Sequence, residues 1–275
     1  MEMQTNPMRS KAAAAYDAAA DHFDLSPLAF WDRHGRKAVS LAELSPGDHV
    51  LDVGCGTGAS ALPAAAAVGP QGRVIGLDVA ENMLHRARTK AAAQGLTNVT
   101  FRLADMAAPG QPDASVDAVL SVFSIFFVED MRRQLAHLWR MLRPGGRLVI
   151  TVWGPRAFDP AVAIFGEELQ RVRPDIPALS RPWERLTDPD NLRDLFTAAG
   201  TSAPIIHVVA DQQGLAEPAD WWTIAMGSGY RWEIDQLGPD HAPIVKANVL
   251  RRLAEEGVTA VETNAIHAVA RRACC

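Results

Sequence analysis

The sequence predicts an α/β fold, a doubly wound and mostly parallel sheet covered by helices on both faces. Three observations carry that expectation. From His49 onward, short and nearly continuous apolar runs alternate with longer amphipathic stretches. Strands of a parallel sheet read as such unbroken runs because helices bury both of their faces. The first run, "HVLDV", stops in three glycines spaced two apart, Gly54, Gly56 and Gly58, as a parallel strand does when it feeds a ligand-cradling turn. Finally, 275 residues with 48% hydrophobic content suffice for one large domain with a sizeable core.

Taken in order, "KAAAAYDAAADHFD" reads as a helix and opens a helical N-terminal arm over residues 1–46. His49–Val53 is the first strand and Ala59–Val68 a helix, with Pro63 tolerated near its start. Arg73–Val79 is a second buried strand. In "AENMLHRARTKAAAQG", Met83, Leu84 and Ala87 share a helical face, and Gly95 supplies the stop. "VTFRLAD" and "VDAVLSVF" are the third and fourth strands. "EDMRRQLAHLWRMLRPGG" places Leu135, Leu138, Trp139 and Leu142 at helical spacing. Its acidic start and basic end suit the helix dipole, and Pro144-Gly145-Gly146 reads as its terminator. "RLVITVW" is the fifth strand.

Beyond Trp153 the rhythm changes. Pro155–Pro182 reads as irregular, "DPDNLRDLFTAAG" as a helix and Pro204–Ala210 as a strand. The tryptophan- and glycine-rich "PADWWTIAMGSGYRWEIDQLG" precedes a helix at Pro243–Glu256, and "VTAVETNAIHAVARR" closes the chain as a single strand. No repeat or low-complexity linker divides residues 1–275. One domain is expected: the arm, a core carrying the glycine loop (47–154), and the rest of the core (155–275) with cap segments near 155–187 and 211–257.

A formal net charge of −5, with scattered Lys and Arg, argues against a nucleic-acid partner. Cys55 and the terminal pair Cys274 and Cys275 make neither a disulfide framework nor a spaced metal site, so no metal is expected. No stretch approaches the roughly 20 apolar residues of a membrane span. The alanine run is broken by Tyr16, Asp17 and Asp21, unlike the apolar core of a signal peptide. A cytoplasmic location is expected.

Glycine lets a turn adopt positive φ and lets a ligand approach the main chain. Gly54, Gly56 and Ala59 also satisfy the dinucleotide fingerprint, and Asp78 stands 20 residues beyond Gly58, where an acid would hold a ribose. On the motif alone, NAD and other adenosine ligands remain open.

"VLDVGCGTG" resembles motif I of the class I S-adenosylmethionine-dependent methyltransferases, and the resemblance continues in order through "GLDVAENML", "FRLADM", "VDAVLSVFSIFFVED" and "LRPGGRLVITVW". It covers roughly residues 47 to 153 and extends through "DPDNLRDLFTAAG" to residue 200. The chain is similar to small-molecule enzymes of the menaquinone and ubiquinone C-methyltransferase type and to polyketide-tailoring enzymes. The resemblance implies a Rossmann-like sheet of seven strands with an antiparallel last strand. It implies S-adenosylmethionine as cofactor and S-adenosylhomocysteine as product. It further implies that Gly54, Cys55, Gly56 and Gly58 surround the methionine part while Asp52 orients the loop. Asp78 takes the ribose hydroxyls, with Val79 and Met83 near the adenine. Asp105 accepts from the adenine amino group between Ala104 and Met106, and Ser121 and Phe123 border the sulfonium. A vicinal diol and an exocyclic amine each ask for an acceptor of this kind.

The sulfonium methyl is already electrophilic, so such an enzyme mainly positions the nucleophile and excludes water. No paired base stands out: His22, His34, His137, His207, His241 and His267 are isolated in the sequence. His34 in the arm is a candidate base, and Tyr230 a candidate orienting group. Trp221, Trp222, Met226, Tyr230 and Trp232 are candidates for an apolar substrate wall, closed from the other side by Phe23, Trp31, Phe126 and Phe127. They equally suit the insertion's own core. Cys55 reads as a buried filler.

Three alternatives bear on this reading. An NAD(P)-dependent oxidoreductase would carry a group such as Tyr-x-x-x-Lys, yet neither Tyr16 nor Tyr230 has a lysine four residues on. A methyltransferase acting on nucleic acid or protein is the second; of these, a base N-methyltransferase would carry an Asn/Asp-Pro-Pro-aromatic tetrad where this chain has "SVFSIF". A non-catalytic cofactor-binding subunit stays open. The expected partner is a small molecule, with no membrane span, and the sequence leaves room for a homodimer.

Overall fold

The computed structural model describes residues 7–179 and 181–274. Expectations resting on residues 1–6 of the arm and on Cys275 of the terminal pair lie outside the described residues. The arm folds as two helices, α1 (Pro7–Phe23) and α2 (Phe30–Ala42). Strand and helix then alternate as β1 (His49–Val53), α3 (Ala61–Val68), β2 (Arg73–Asp78), α4 (Glu81–Ala93) and β3 (Val99–Leu103). β4 (Val116–Val122), α5 (Met131–Met141) and β5 (Leu142–Trp153) follow. The remainder is α6 (Ala161–Val172), α7 (Pro189–Ala198), β6 (Ile205–Val209), β7 (Gln212–Gly214), α8 (Ala219–Met226), α9 (Arg231–Glu255), β8 (Ala260–Glu262) and β9 (Ala265–Arg271).

Seven strands form one sheet in the order β3-β2-β1-β4-β5-β9-β6. The first five pair in parallel, and β9 runs antiparallel to both of its neighbours. The expected fold class, with its antiparallel last strand, is the one observed. From β1 the chain winds outward to β2 and β3, then returns past β1 to β4. That reversal leaves a crevice beyond the carboxyl ends of β1 and β4, where ligands of open α/β sheets bind.

Local chemistry fixes the ends of the flanking helices. Asp130 caps α5, its Oδ1 accepting the Arg133 N–H at 2.9 Å. After α4, Gly95 takes φ +66°, and the Gly95 and Leu96 N–H groups return to the Ala92 and Ala91 carbonyls. Met83, Leu84 and Ala87 are buried on α4, as their spacing predicts.

Four local expectations are corrected. Pro144-Gly145-Gly146 does not end α5, which stops at Met141. It lies in an irregularity of β5, where the pairing with β4 jumps from Val116↔Leu142 to Ala118↔Arg147. The stretch 155–182 is not wholly irregular, because α6 buries Ala161, Val162, Ile164, Phe165 and Leu169 at helical spacing. The Trp- and Gly-rich stretch forms α8 and the start of α9, a helix kinked at Gly238 (φ 69°, ψ 179°). "VTAVETNAIHAVARR" is two strands: β8 pairs with β7 in a separate hairpin, and β9 enters the main sheet.

Candidate active site

A cavity of about 750 Å³ opens at the crevice, within the size range of small-molecule sites. The glycine loop forms its floor. Gly54 and Cys55 both donate their N–H groups to the Leu77 carbonyl, at 2.8 and 2.9 Å, which hangs the loop over the end of β2. Gly54, Gly56 and Gly58 all have positive φ, at +71°, +53° and +91°. At Gly54 a side chain has no room: an added Cβ would stand 2.4 Å from Ser124 Cβ. Phe123, on the adjoining wall, is a non-glycine residue at φ +53°. Ring stacking on Trp153 at 3.9 Å holds it in this sparsely populated conformation.

Two carboxyls, Asp52 buried and Asp78 half-buried, support the loop. Asp78 lines the cavity; its Oδ2 accepts the Gly56 N–H at 2.8 Å and its Oδ1 the Ala80 N–H at 3.0 Å. It therefore ties the loop to the start of α4. Burial pushes its carboxyl up, while these N–H groups pull it back. Asp52 lies behind the loop, fully buried, with Ser60 Oγ donating to its Oδ2 at 2.7 Å. Its Oδ1 has no hydrogen-bond partner among the described residues. Burial raises Asp52 from 3.8 to about 7, the Ser60 bond opposes this, and the Asp78 charge adds to it.

The sign of the pH dependence follows. A carboxyl raised in the folded state stabilises relatively at low pH, and that stability is lost as pH climbs from the unfolded value near 4 through the folded value near 7. Between pH 5 and 8 the ligand-free protein is expected to lose roughly 2 kcal/mol of unfolding free energy through Asp52. Urea melts of wild type and Asp52→Asn at both pH values check this. Equal pH slopes for the two proteins would refute it.

The remaining walls come from α1, α2 and the segments after β3 and β4. Val79, Met83, Ala104, Asp105 and Met106 line the cavity, and Asp105 Oδ1 accepts the Ala107 N–H at 3.0 Å. Tyr16, Phe23, Trp31, Phe127 and Val128 line it as well. Phe23 stacks on Trp31 with centroids 4.9 Å apart, and Tyr16 meets Phe127 edge-on at 5.7 Å. Polar rungs hold α1 and the residue just after it against α4. Asp17 accepts from Asn82 at 2.8 Å, Asp21 from Arg86 at 2.8 Å and Asp24 from Lys90 at 2.7 Å. Exposed rungs of this kind are worth about 0–1 kcal/mol each, so the cover is held weakly from outside.

Several sequence candidates sit elsewhere. Gly58 lies outside the cavity's lining, its neighbour being Leu62. Ser121 is buried one layer back, its Oγ 2.6 Å from Ser124 Oγ, and Ser124 itself reaches the cavity. His34 is buried against β9 and the hairpin: its Nε2 lies 2.8 Å from the Thr263 carbonyl, to which it donates, and it does not line the cavity. Burial lowers its pKa. Phe126 packs against Phe127 and Trp183, and Trp222 packs against Phe165. Met226 packs against the core. None of these three lines the cavity. Tyr230 lines a smaller adjoining space. Phe127, expected beside Phe126 to close the pocket, does line the cavity, and so do Tyr16, Ser124 and the α5 residues Arg133, Gln134 and His137, which the sequence reading does not single out as site residues. Tyr16 was quoted in the arm motif, and its place in an alanine-rich helix was the available signal.

Residues 50–146 match the family described as a methyltransferase domain. Over 254 residues the chain is 33% identical to the nocamycin O-methyltransferase of Saccharothrix syringae, covering 86% of this chain and 89% of that protein. The chain belongs to the class I S-adenosylmethionine-dependent methyltransferases. It is also 32% identical to the demethylmenaquinone methyltransferase of Symbiobacterium thermophilum, over 67% of this chain and 82% of that one. The crystal structure of a SAM dependent methyltransferase from Aquifex aeolicus shares the fold, with a TM-score of 0.52 at 19% identity over 97% of this chain and 93% of that one. As a methyltransferase of this family the protein uses S-adenosylmethionine, which resolves the choice the glycine fingerprint left open. Among the described residues no helix of this methyltransferase is long and apolar enough to cross a membrane.

Proposed function

We propose that the methyltransferase acts on a medium-sized, largely apolar or aromatic small molecule, mainly by holding it in line and excluding water. The aromatic wall carries this reading: Tyr16, Phe23, Trp31 and Phe127 line the same cavity as the glycine loop. Aromatic rings lining a cavity suit a flat apolar guest, which offers them area and edge-to-face contacts. Both curated relatives are named for small molecules, nocamycin and demethylmenaquinone, and this supports the same substrate class.

The residues present fit the cofactor. Asp78 keeps lone pairs beyond those engaged by Gly56 and Ala80, and a vicinal diol needs acceptors of that kind. Met83, Ala104 and Met106 offer apolar faces to an adenine, with Asp105 at its edge. Gly54, Cys55 and Gly56 bring main chain to the cavity floor. When bound, S-adenosylmethionine supplies an electrophilic methyl on a sulfonium. The chain's own contribution is position and dryness. Phe123 and Ser124 border the region between the loop and the aromatic wall. Burial, together with the charges of Asp78 and Glu233, pushes the Tyr16 hydroxyl up. Tyr16 therefore stays a neutral phenol that donates a hydrogen bond.

Incubation with methyl-labelled S-adenosylmethionine and a panel of phenols, hydroxynaphthoates and quinols tests the reading. Transfer to at least one panel member is expected. Phe127→Ala is expected to raise the acceptor's KM roughly 10- to 100-fold, the worth of about 1.5–3 kcal/mol of buried ring. Label found only on added RNA or protein, or on no acceptor, would overturn it.

A further inference from the structure

Thr57 belongs to the glycine loop but does not line the cavity. It is 1% exposed, and its Oγ1 donates to Asp24 Oδ1 at 2.7 Å. The same oxygen accepts from Lys90 Nζ at 2.7 Å, and Lys90 Nζ lies 3.3 Å from Thr57 Oγ1. Side chains from the glycine loop, from the residue just after α1 and from α4 thus meet at one point. The Asp24 and Lys90 side chains are each 27% exposed and line a separate groove between α1 and α4. Asp24 directly follows Phe23, the last residue of α1. Phe23 lines the cavity and is the neighbour that a Cβ added at Gly56 would meet. The end of the arm therefore reaches the glycine loop twice, by a ring at Gly56 and by a hydrogen bond at Thr57.

The backbone around Thr57 needs such a hold. Gly56 and Gly58 flank it at φ +53° and +91°, a region that glycine enters freely and so does not enforce. Two carboxylates supply the hold. Asp78 Oδ2 takes the Gly56 N–H, and Asp24 Oδ1 takes the Thr57 hydroxyl. Gly54, Cys55 and Gly56 line the cavity, so a cofactor resting on them fixes the peptide units beside Thr57 and with them the direction of its hydroxyl. The other rungs from α1, at Asp17 and Asp21, end on Asn82 and Arg86 of α4 and do not touch the loop.

We propose that the Thr57–Asp24 hydrogen bond couples the two ends of the site: a cofactor on the glycine loop sets the Thr57 hydroxyl on Asp24 and so holds α1, with Tyr16 and Phe23, in place as part of the acceptor wall. Asp24 is a positioning residue, since it does not line the cavity. This rests on the reading above of the loop as the cofactor's seat and the aromatic wall as the acceptor's. Coupling is reciprocal, so an acceptor that packs against α1 tightens the cofactor by the same factor.

The test is hydrogen–deuterium exchange of α1 with and without saturating S-adenosylhomocysteine, occupancy being confirmed by calorimetry for each protein. In wild type the ligand is expected to slow α1 exchange about tenfold, a coupling of ordinary size. Thr57→Val keeps the shape and removes the donor, and Asp24→Ala removes the acceptor. Each is expected to cut the slowing to less than about twofold, and Thr57→Ser, which returns a hydroxyl, to restore it. A purely structural clasp would quicken exchange equally in free and bound protein and leave the ratio as in wild type; that result overturns the proposal. So does slowing that survives in both variants, as direct contact of the ligand with Phe23 would give, or a Thr57→Ser protein that behaves like Thr57→Val. Loss of ligand binding in Asp24→Ala also overturns it, because Asp24 would then act on the cofactor and not on the arm. Melting temperatures confirm that each variant is folded. A ligand that binds wild type without slowing α1 removes the coupling and leaves the cofactor's seat standing, whereas one that does not bind removes both.

Discussion

Asp78→Ala is expected to weaken S-adenosylhomocysteine binding by roughly 3 kcal/mol, more than a hundredfold in Kd. Two losses combine. The carboxylate proposed to receive the ribose hydroxyls disappears, and a hydrogen bond to a charged group is worth about 1.5–3 kcal/mol. The same carboxylate also holds the Gly56 N–H at 2.8 Å and the Ala80 N–H at 3.0 Å, so its removal loosens the loop that forms the cavity floor. Asp78→Asn separates the two effects. It keeps one acceptor oxygen but sets an amide donor against one of the two main-chain N–H groups. Calorimetric titration of wild type and both variants reads the outcome, and a Kd unchanged in Asp78→Ala removes Asp78 from the ribose assignment.

Asp78 also shows what the sequence could reveal about the site. Its place at the end of an apolar strand, after a glycine loop, points to a ligand. The structure gives the carboxylate a main-chain task at Gly56 and Ala80 together with a place on the cavity wall. Positions within the ordered motifs were legible because each follows a strand of one sheet, and the strand ends fall at one edge. Residues from distant elements were harder to read. Tyr16 and Phe127 meet at 5.7 Å across 111 positions, a distance set by how α1 lies against α4. The rungs that place α1 there, Asp17 to Asn82, Asp21 to Arg86 and Asp24 to Lys90, are pairings between two helices. Periodicity within either helix gives no information about its partner.

The fold divides in the same way. The parallel strands were legible as apolar runs, since β1, β2 and β4 are buried along almost their whole length. α6 was not, although Ala161, Val162, Ile164, Phe165 and Leu169 have helical spacing. Pro155 and Pro160 weighed against a helix there, yet a proline just before a helix leaves its hydrogen-bond ladder intact. Trp221 and Trp222 suited a pocket wall and a core equally well by composition. The structure packs both rings against Phe165, on a helix that had been read as irregular, so one misread element obscured the other. Pro144-Gly145-Gly146 misled for a related reason. Gly146 is needed for a tight bulge, where an added Cβ would stand 2.9 Å from the Arg143 carbonyl and 3.0 Å from that of Asp117, and not for a helix stop.

Gly54→Ala is expected to cost about 3 kcal/mol of folding stability and to abolish measurable S-adenosylhomocysteine binding at micromolar protein. Two constraints act on one carbon. At φ +71° an L-residue is strained by about 1–2 kcal/mol. The new Cβ would also lie 2.4 Å from Ser124 Cβ and 2.9 Å from its Oγ. Ser124 cannot simply rotate away without loss, because its Oγ donates to the Val53 carbonyl at 2.7 Å and contacts Ser121 Oγ. The clash must then be relieved by moving the loop, whose Gly54 and Cys55 N–H groups both sit on the Leu77 carbonyl. Gly56→Ala is the control that isolates packing from backbone strain. Its φ is also positive, at +53°, but its added Cβ would meet only Phe23, at 3.7 Å. It should lose about 1–2 kcal/mol of stability from conformation alone, while its ligand affinity reports how closely the cofactor approaches the main chain there. Chemical denaturation and calorimetry on the two variants decide the matter. A Gly54→Ala protein as stable as Gly56→Ala would show that the loop yields to Ser124 without cost, and the rigid floor ascribed to the cavity would be wrong.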